Sequence, residues 1–284
     1  MKVIRARVLG YCFGVKKAVE EAQKALQFTA DKNINIYTLG PLIHNDEVLK
    51  SLGERGLKIL SPQNLSTVKE NDVVVIRAHG TTPDTIKFLD EKKINIINAT
   101  CPKVVCSQKI AQNWSQKGFE VIIAGDKNHG EVTGIAGYAG KNASVIQSAR
   151  EAESFEVKEK SILLAQTTFS PEEYEKIIQI LLKKNPALKV FKTICSATLE
   201  RQNALFELKD KVEAILVVGG INSANTKRLA ESAQTFCNHV SLIENEKSIP
   251  EVFYRFNTVA ITAGASTPDW IIDSVENTLK AFSK

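Results

Sequence analysis

Residues 6–26 read ARVLGYCFGVKKAVEEAQKAL, a short apolar run that passes through Cys12 into the pattern of an amphipathic helix. The same arrangement recurs around Cys101, in INIINATCPKVVCSQKIAQNW, and around Cys195, in VFKTICSATLERQNALFELKD. The three cysteines are spaced at nearly even intervals along the 284 residues. The sequence therefore predicts three similar lobes, one for each cysteine.

Each of these cysteines stands at a predicted strand-to-helix turn. Backbone N–H groups and the positive end of a helix dipole meet at such a turn and favour the thiolate, the form that binds metals. Three equivalent thiolates at Cys12, Cys101 and Cys195 predict one soft-metal site shared by the lobes. Five cysteines in so long a chain indicate a reducing compartment rather than a disulfide framework. Cys106 and Cys237 are expected to be small buried apolar residues.

The composition is that of a globular protein with an ordinary surface. Hydrophobic residues make up 43% and charged residues 24% of the chain, which are globular values. The net charge of +5, from 37 basic and 32 acidic residues, indicates a solvated surface rather than nucleic-acid binding. No run of about 18 apolar residues occurs, so we expect no membrane span. Two arginines interrupt the first ten residues, which favours a strand over a signal peptide. The reducing compartment that the cysteines indicate is expected to be the cytoplasm.

A second pattern recurs three times, in register with the cysteines. In residues 34–46, 120–131 and 214–225, a β-rich run ends in glycine and a polar residue follows four positions later. Ligands of parallel sheets bind beyond the carboxyl ends of the strands, so these polar residues are expected to face a binding site. They are His44, His129 and Ser223.

A third pattern occupies residues 73–89, 161–178 and 258–275, where an apolar strand runs through a turn into a hydroxyl residue followed by proline. Such pairs predict helix starts, with the hydroxyl residue as N-cap and proline at the first helical position. Apolar strands alternating with helices indicate parallel sheets covered on both faces. The three pairs are Thr82-Pro83, Ser170-Pro171 and Thr267-Pro268.

The predicted fold is therefore α/β, with three similar lobes and mainly parallel sheets. The cysteines mark the domain boundaries. The first lobe is expected to span residues 1–100, the second 101–194 and the third 195–284.

Polar residues at the predicted strand ends are expected to line one central cavity and to determine which ligand it binds. Hydroxyls, amides and imidazoles dominate, and several helix N-termini are expected to point inward, which favours a polyanion such as a diphosphate. No Walker loop and no G-x-G-x-x-G after a strand occur, so bound NAD or flavin is not expected. Glu131, beside His129, is the best candidate for a proton source. The strand-end residues are His44, His79, His129, Glu131, Thr167, Thr168, Asn222, Ser223, Asn225, Ser266 and Thr267.

Two kinds of metal centre are compatible with three thiolates, a zinc ion and an iron–sulfur cluster. Structural zinc normally takes four protein ligands in closely spaced pairs, and no C-x-x-C occurs here. A 4Fe-4S cluster on three cysteines keeps one iron open for substrate chemistry. Two alternatives to an iron–sulfur enzyme are a zinc hydrolase or deaminase and a non-enzymatic phosphometabolite-binding protein.

A series of short motifs runs in order over essentially the whole chain: GYCFGVKKAV, GPLIHN, AHG, NATCP, HGEV, QTT, IC.AT..RQ, NS.N with RLAE, and TAGAS.P. Together they resemble the LytB family of 4-hydroxy-3-methylbut-2-enyl diphosphate reductases. The resemblance implies a pseudo-three-fold trefoil of α/β domains around a central 4Fe-4S cluster. It implies two-electron, two-proton removal of an allylic hydroxyl, giving isopentenyl and dimethylallyl diphosphates, with reduced ferredoxin or flavodoxin as the electron donor.

The resemblance also assigns roles by position. Cys12, Cys101 and Cys195 would hold the cluster. Glu131 would deliver the proton, and Thr168 would orient the substrate hydroxyl. The positions that would bind the diphosphate are His44, His79, His129, Ser223, Ala224, Asn225 and Ser266.

Two residues depart from the family pattern. Ala224 stands where many members have a second serine, which removes one hydroxyl from the diphosphate site. Gly130 replaces a common proline between His129 and Glu131 and is expected to loosen that turn.

Overall fold

The computed structural model describes residues 1–29 and 34–282. The β-strands of these residues are β1 (Lys2–Arg5), β2 (Ile36–Leu39), β3 (Leu57–Leu60), β4 (Val73–Ile76), β5 (Asn95–Asn98), β6 (Glu120–Ala124), β7 (Ala143–Ile146), β8 (Ser161–Ala165), β9 (Lys189–Val190), β10 (Ala214–Val218), β11 (Val240–Ile243) and β12 (Thr258–Ala263). The α-helices are α1 (Phe13–Thr29), α2 (Asp46–Glu54), α3 (Pro83–Glu91), α4 (Pro102–Gln116), α5 (Gly130–Ala139), α6 (Ala149–Ser154), α7 (Pro171–Lys184), α8 (Ser196–Phe206), α9 (Ala224–Gln234) and α10 (Asp269–Ala281). Short 3-10 helices lie at Pro62–Thr67, Gly140–Asn142, Glu246–Ser248 and Glu251–Arg255.

The strands form three parallel sheets of four strands each, with one shared topology. Their orders are β3-β2-β4-β5, β7-β6-β8-β9 and β11-β10-β12-β1, and every pairing within them is parallel. Neighbouring parallel strands need a crossover connection, which explains why helices alternate with strands along the chain. The prediction of three α/β lobes with parallel sheets is confirmed.

The third sheet is completed by the N-terminal strand of the chain. β1 pairs with β12 in parallel, with Lys2 opposite Thr258 and Arg5 opposite Ile261. A lobe's sheet therefore draws on a strand from outside its own third of the sequence. The boundaries at residues 100 and 194 remain a prediction.

The chain divides into two compact units, each built from several segments. The first consists of Met1–Lys16, Ile43–Leu52 and Ser196–Lys284, and it contains the β11-β10-β12-β1 sheet. The second consists of Lys17–Leu42 and Gly53–Cys195, and it contains the other two sheets.

Central strands are buried on both faces, as their continuous apolar sequence predicts. Along β10, Ala214, Leu216 and Val218 pack into one hydrophobic cluster, while Ile215 and Val217 pack into another. Side chains alternate across a strand, so the two clusters lie on opposite faces of the sheet.

The helices that cover the sheets are amphipathic. In α7, Tyr174, Ile177 and Leu181 are buried, whereas the last turn carries Lys183 and Lys184. This spacing places the apolar residues on one face of the helix and the charges toward water. In residues 1–29 and 34–282, no helix combines the length and the apolar character needed to cross a bilayer.

Two of the three predicted hydroxyl–proline helix starts are confirmed. Thr82 and Ser170 are the N-caps of α3 and α7, and each side chain accepts the N–H of the residue three positions later. The prediction for Thr267 is wrong, because α10 has Pro268 as its N-cap. The Thr267 hydroxyl instead donates to the carbonyl of Val218 at 3.0 Å and ties the turn to the end of β10.

The Asp72 carboxylate ties a loop to the start of β4. It accepts the backbone N–H and the side-chain amide of Asn35, at 3.1 and 3.0 Å, and the backbone N–H of Lys69 at 3.0 Å. Burial alone would raise the pKa of the Asp72 carboxyl, but these donors stabilise the anion and hold the pKa below its ordinary value.

We expect Asp72→Asn to lower the free energy of unfolding by about 1–2 kcal/mol at neutral pH. Because the folded-state pKa lies below the unfolded value, this stabilisation is fully present above about pH 4 and is lost as the pH falls through the folded-state pKa. Denaturant unfolding of wild type and variant across this range measures the difference, with Asp90→Asn as an exposed control. A difference that does not shrink on acidification would contradict the assignment.

Candidate functional site

One backbone hydrogen bond holds each of the three cysteine turns in the same way. In each case the cysteine N–H donates to a backbone carbonyl two residues beyond the end of a strand, which is β12, β4 or β8. The bonds run from Cys12 to Ala265 (3.1 Å), from Cys101 to Ala78 (3.0 Å) and from Cys195 to Thr167 (2.8 Å).

The residue after each accepting carbonyl is a predicted site residue. It is Ser266 after β12, His79 after β4 and Thr168 after β8. The hydrogen bond therefore places each cysteine next to one of these three side chains along the carboxyl edge of its own sheet. This edge is where ligands of open parallel sheets bind.

The three cysteines form no disulfide within the described residues and are half-buried. Each comes directly before a helix, α1, α4 or α8, which confirms the predicted strand-to-helix turns. Cys237 is buried, with 8% of its surface exposed, as expected. The same expectation for Cys106 is wrong: its side chain is exposed, because it lies outside the buried face of α4.

A buried arginine braces the Cys12 turn. Arg201, 3% exposed, donates to the carbonyl of Gly10 at 2.6 Å and to that of Ala197 at 2.7 Å. It thereby joins the turn before Cys12 to α8. Sequence reasoning gave it no role, although it lies in the quoted IC.AT..RQ motif.

His129 caps α5 through its ring. Its Nδ1 accepts the backbone N–H of Glu131 at 3.2 Å. A neutral imidazole with an accepting Nδ1 carries its proton on Nε2, which is then a donor for an anion. The ring of His79 meets that of His129 edge to face, with 5.0 Å between the ring centroids.

The Glu131 carboxylate is almost completely buried, with 1% of the residue exposed. It accepts the backbone N–H of Thr167 at 2.6 Å and the Thr167 hydroxyl at 2.8 Å. Thr167 also supplies the carbonyl that holds Cys195. The candidate acid and one cysteine turn are therefore positioned by the same residue.

Thr168 belongs to the same turn but has a different contact. Its hydroxyl accepts a hydrogen bond from Nε2 of Gln166 at 3.0 Å. The Oε1 of Gln166 in turn accepts a hydrogen bond from the backbone N–H of Asp126 at 2.9 Å. Gln166 is fully buried, so it fixes the position of Thr168. Sequence reasoning did not single out Gln166; its place in the QTT motif was the available signal.

In the first compact unit, Ser266 and His44 are joined directly. The Ser266 hydroxyl donates to the His44 carbonyl at 3.0 Å. Gly220 lies so close that a Cβ built on it would stand 2.3 Å from the same carbonyl oxygen. Only glycine therefore allows the two turns to approach each other here.

Ser223 and Asn225 stand at the start of α9. Ser223 is its N-cap and accepts the N–H of Thr226 at 3.3 Å. Asn225 is 6% exposed, and its Nδ2 is buried without a hydrogen-bond partner among the described residues. An unsatisfied buried amide is costly, so this donor indicates a polar ligand. The methyl of Ala224 provides no donor between them.

Gly130 is the first residue of α5, directly after the His129 cap. A Cβ built at Gly130 would stand 1.9 Å from Nη2 of Arg77. The guanidinium therefore occupies the space beside this turn. Arg77 was not predicted as a site residue, although it directly follows β4 and begins the turn that carries His79.

The predicted site residues fall into two sets, one in each compact unit. Cys12, His44, Ser223, Ala224, Asn225 and Ser266 belong to the first unit, and Cys101, Cys195, His79, His129, Glu131 and Thr168 belong to the second.

The model of the LytB protein family matches residues 3–280 of the chain. The 4-hydroxy-3-methylbut-2-enyl diphosphate reductase of Treponema denticola is 43% identical, and the match covers 98% of this chain and 99% of that protein. The protein of the same name from Caldanaerobacter subterraneus is 37% identical over 99% of this chain and 98% of that protein.

Two solved structures are also similar. The E-1-hydroxy-2-methyl-but-2-enyl-4-diphosphate reductase of Plasmodium falciparum superposes with a TM-score of 0.90 at 27% identity, covering 97% of this chain and 87% of that chain. An (E)-4-hydroxy-3-methyl-but-2-enyl diphosphate reductase, described as the terminal enzyme of the non-mevalonate pathway, gives a TM-score of 0.73 at 32% identity, covering 99% and 100%. With a family model that matches nearly its whole length, the chain belongs to the LytB protein family.

Proposed function

We propose that the protein reduces 4-hydroxy-3-methylbut-2-enyl diphosphate to isopentenyl and dimethylallyl diphosphates, the last step of the methylerythritol phosphate route to isoprenoids. The reaction consumes two electrons and two protons and releases the allylic hydroxyl as water. The observation that carries the proposal is the repeated hydrogen bond that sets Cys12, Cys101 and Cys195 beside predicted substrate-contacting side chains. Named relatives that match nearly the whole chain support the same activity.

Cys12, Cys101 and Cys195 would hold a 4Fe-4S cluster with one iron free of protein ligands. The donor set fits this group, because the three thiols are half-buried, take part in no disulfide among the described residues and stand at helix starts that favour the thiolate. When bound, the cluster supplies the electrons and a Lewis-acidic iron. We propose reduced ferredoxin or flavodoxin as the donor of those electrons, and the cytoplasm as the location of the protein.

The diphosphate would be bound by hydrogen-bond donors at the carboxyl ends of the strands. Ser223 and Asn225 stand at the N-terminus of α9, and His129 stands at that of α5. Both helix ends favour negative charge. The buried Asn225 Nδ2, which lacks a partner among the residues described, is the donor most in need of such a ligand. His44, His79 and Ser266 complete the proposed set, together with position 224.

Glu131 would supply the proton that turns the leaving hydroxyl into water. Its carboxylate contacts the Thr167 hydroxyl at 2.8 Å, and a hydroxyl that both donates and accepts can relay a proton. Thr168, fixed by Gln166, would orient the substrate hydroxyl. The buried position of Glu131 keeps bulk water away from this contact. His129 lies next to Gly130 on the same turn and would assist as a catalytic residue.

Replacing any one of Cys12, Cys101 and Cys195 by serine is expected to abolish turnover and to strongly reduce bound iron, because each supplies one of three thiolates. Cys106→Ser, at the exposed fifth residue of α4, is the matched control and should keep both. Anaerobic iron and sulfide analysis measures cluster content independently of activity. Loss of iron from the Cys106 variant would show that the ligands are misassigned.

Glu131→Gln should lower turnover by about 100-fold or more, because it preserves shape but removes the acid. Iron content and the spectral change on adding substrate should be unaffected, which separates chemistry from binding. Glu120→Gln is the control, since Glu120 is also buried but begins β6 at the opposite edge of the same sheet. Near wild-type turnover in Glu131→Gln would contradict this assignment and transfer the acid role to His129.

Substrate affinity should depend on the diphosphate more than on the carbon chain. Inorganic diphosphate is expected to compete with substrate, whereas the unphosphorylated alcohol should bind poorly. Asn225→Ala should raise the inhibition constant of diphosphate about tenfold, because it removes a buried donor. Asn203→Ala, exposed on α8, should leave it unchanged. Equal affinities for the alcohol and the diphosphate would refute this arrangement.

A further inference from the structure

Arg77 follows β4 directly and lies two positions before His79. Its guanidinium rests against two glycines whose missing side chains leave room for it. A Cβ built on Gly40 would stand 2.9 Å from Nη1, and one built on Gly130 would stand 1.9 Å from Nη2. Neither position can carry a side chain unless Arg77 moves. All four residues belong to the second compact unit.

The charge of this guanidinium has no protein counter-ion. Among the described residues, no side chain or backbone group makes a hydrogen bond or an ion pair with it. Burial lowers the pKa of Arg77, and no carboxylate opposes that effect. An arginine stays protonated in proteins even so. Arg77 is half-buried, so its charge is partly removed from water without a protein partner, and an anionic ligand would offset that cost.

The surroundings of Arg77 are also positive. Nη2 lies over Gly130, the first residue of α5, and a helix of this length carries about half a positive charge at its N-terminus. The edge-to-face pair of His79 and His129 lies in the adjacent turns. A guanidinium beside a helix N-terminus attracts anions, and neutral imidazoles can add N–H donors to the same ligand.

We propose that the Arg77 guanidinium binds the diphosphate of the substrate, and that glycine at position 130 is what gives it the space to do so. The proposal rests on the reductase function argued above. The planar guanidinium can give two parallel N–H donors to phosphate oxygens, a geometry that an imidazole or a hydroxyl cannot supply. Arg77 is thereby a specificity-determining residue for the anionic end of the substrate.

Calorimetric titration of the cluster-containing protein with inorganic diphosphate tests this contact. Arg77→Gln should weaken diphosphate binding about tenfold or more, because a charge-assisted hydrogen bond is lost. Arg77→Lys should retain part of the affinity, since it keeps the positive charge but loses the two parallel N–H donors of the guanidinium. The matched control is Arg150→Gln, which removes an exposed arginine from α6 and should bind diphosphate like the wild type.

Gly130→Ala tests the space requirement without removing the arginine. The added methyl must displace the guanidinium, so diphosphate binding should weaken as in Arg77→Gln. The double variant should then bind no more weakly than Arg77→Gln alone, because both changes remove the same contact. Full additivity of the two losses would overturn the coupling between positions 77 and 130.

Two further measurements test the contact: the salt dependence of diphosphate binding, and the separate effects of the substitution on KM and kcat. Arg77→Gln should reduce the salt dependence of diphosphate binding and raise KM for the substrate, with much less effect on kcat. If Arg77→Gln fails to fold by circular dichroism, Arg77→Lys and Gly130→Ala decide the question by the same titration. Diphosphate affinity in the folded variants equal to that of Arg150→Gln would overturn the proposal.

These measurements separate two failures. A cluster-containing wild type that binds diphosphate through Arg77 but does not reduce the substrate would refute the reductase function and leave the anion contact standing. A wild type that turns over normally, with diphosphate binding indifferent to Arg77 and Gly130, would refute only the role of Arg77.

Discussion

The hydrogen bond from each cysteine N–H to the turn after the third strand is the contact on which the candidate site depends. It recurs in all three sheets, at 3.1, 3.0 and 2.8 Å. In each case it fixes the cysteine against the residue that precedes Ser266, His79 or Thr168. Because both partners are backbone atoms at the carboxyl edge of a parallel sheet, the contact tolerates wide variation in side chains. The repeated topology can therefore carry a serine, a histidine or a threonine at the equivalent position.

Helix starts and neutral donors dominate the chemistry of this edge. His129 and Ser223 cap α5 and α9 with their own side chains, and the buried Glu131 carboxylate accepts two hydrogen bonds from Thr167. Such donors stabilise an anion without burying many cationic side chains, each of which would lose hydration energy. Arg77 is an exception, because the missing side chain at Gly130 leaves space for its guanidinium beside the start of α5.

Predictions from the sequence succeeded where the signal was local. Periodicity and helix-start residues identified the central strands β2, β4, β6, β8, β10 and β12 and the helices α3 and α7, and ordered motifs identified the family. They failed where a distant contact decided the outcome. The Thr267 hydroxyl is taken by the carbonyl of Val218, so it does not cap α10. Cys106 is exposed because of the face of α4 on which it falls.

The sequence by itself determined the three-fold repeat, the chemistry available at each strand end and the family, because these depend on residue types at fixed spacing. Only the tertiary structure decided that β1 completes the sheet of β10–β12, since strand pairing joins residues at opposite ends of the chain. It alone brought Thr167 to Glu131 and Arg77 to Gly130. Such contacts arise from how strand ends and helix starts pack in space, and no local pattern in the chain encodes that distance.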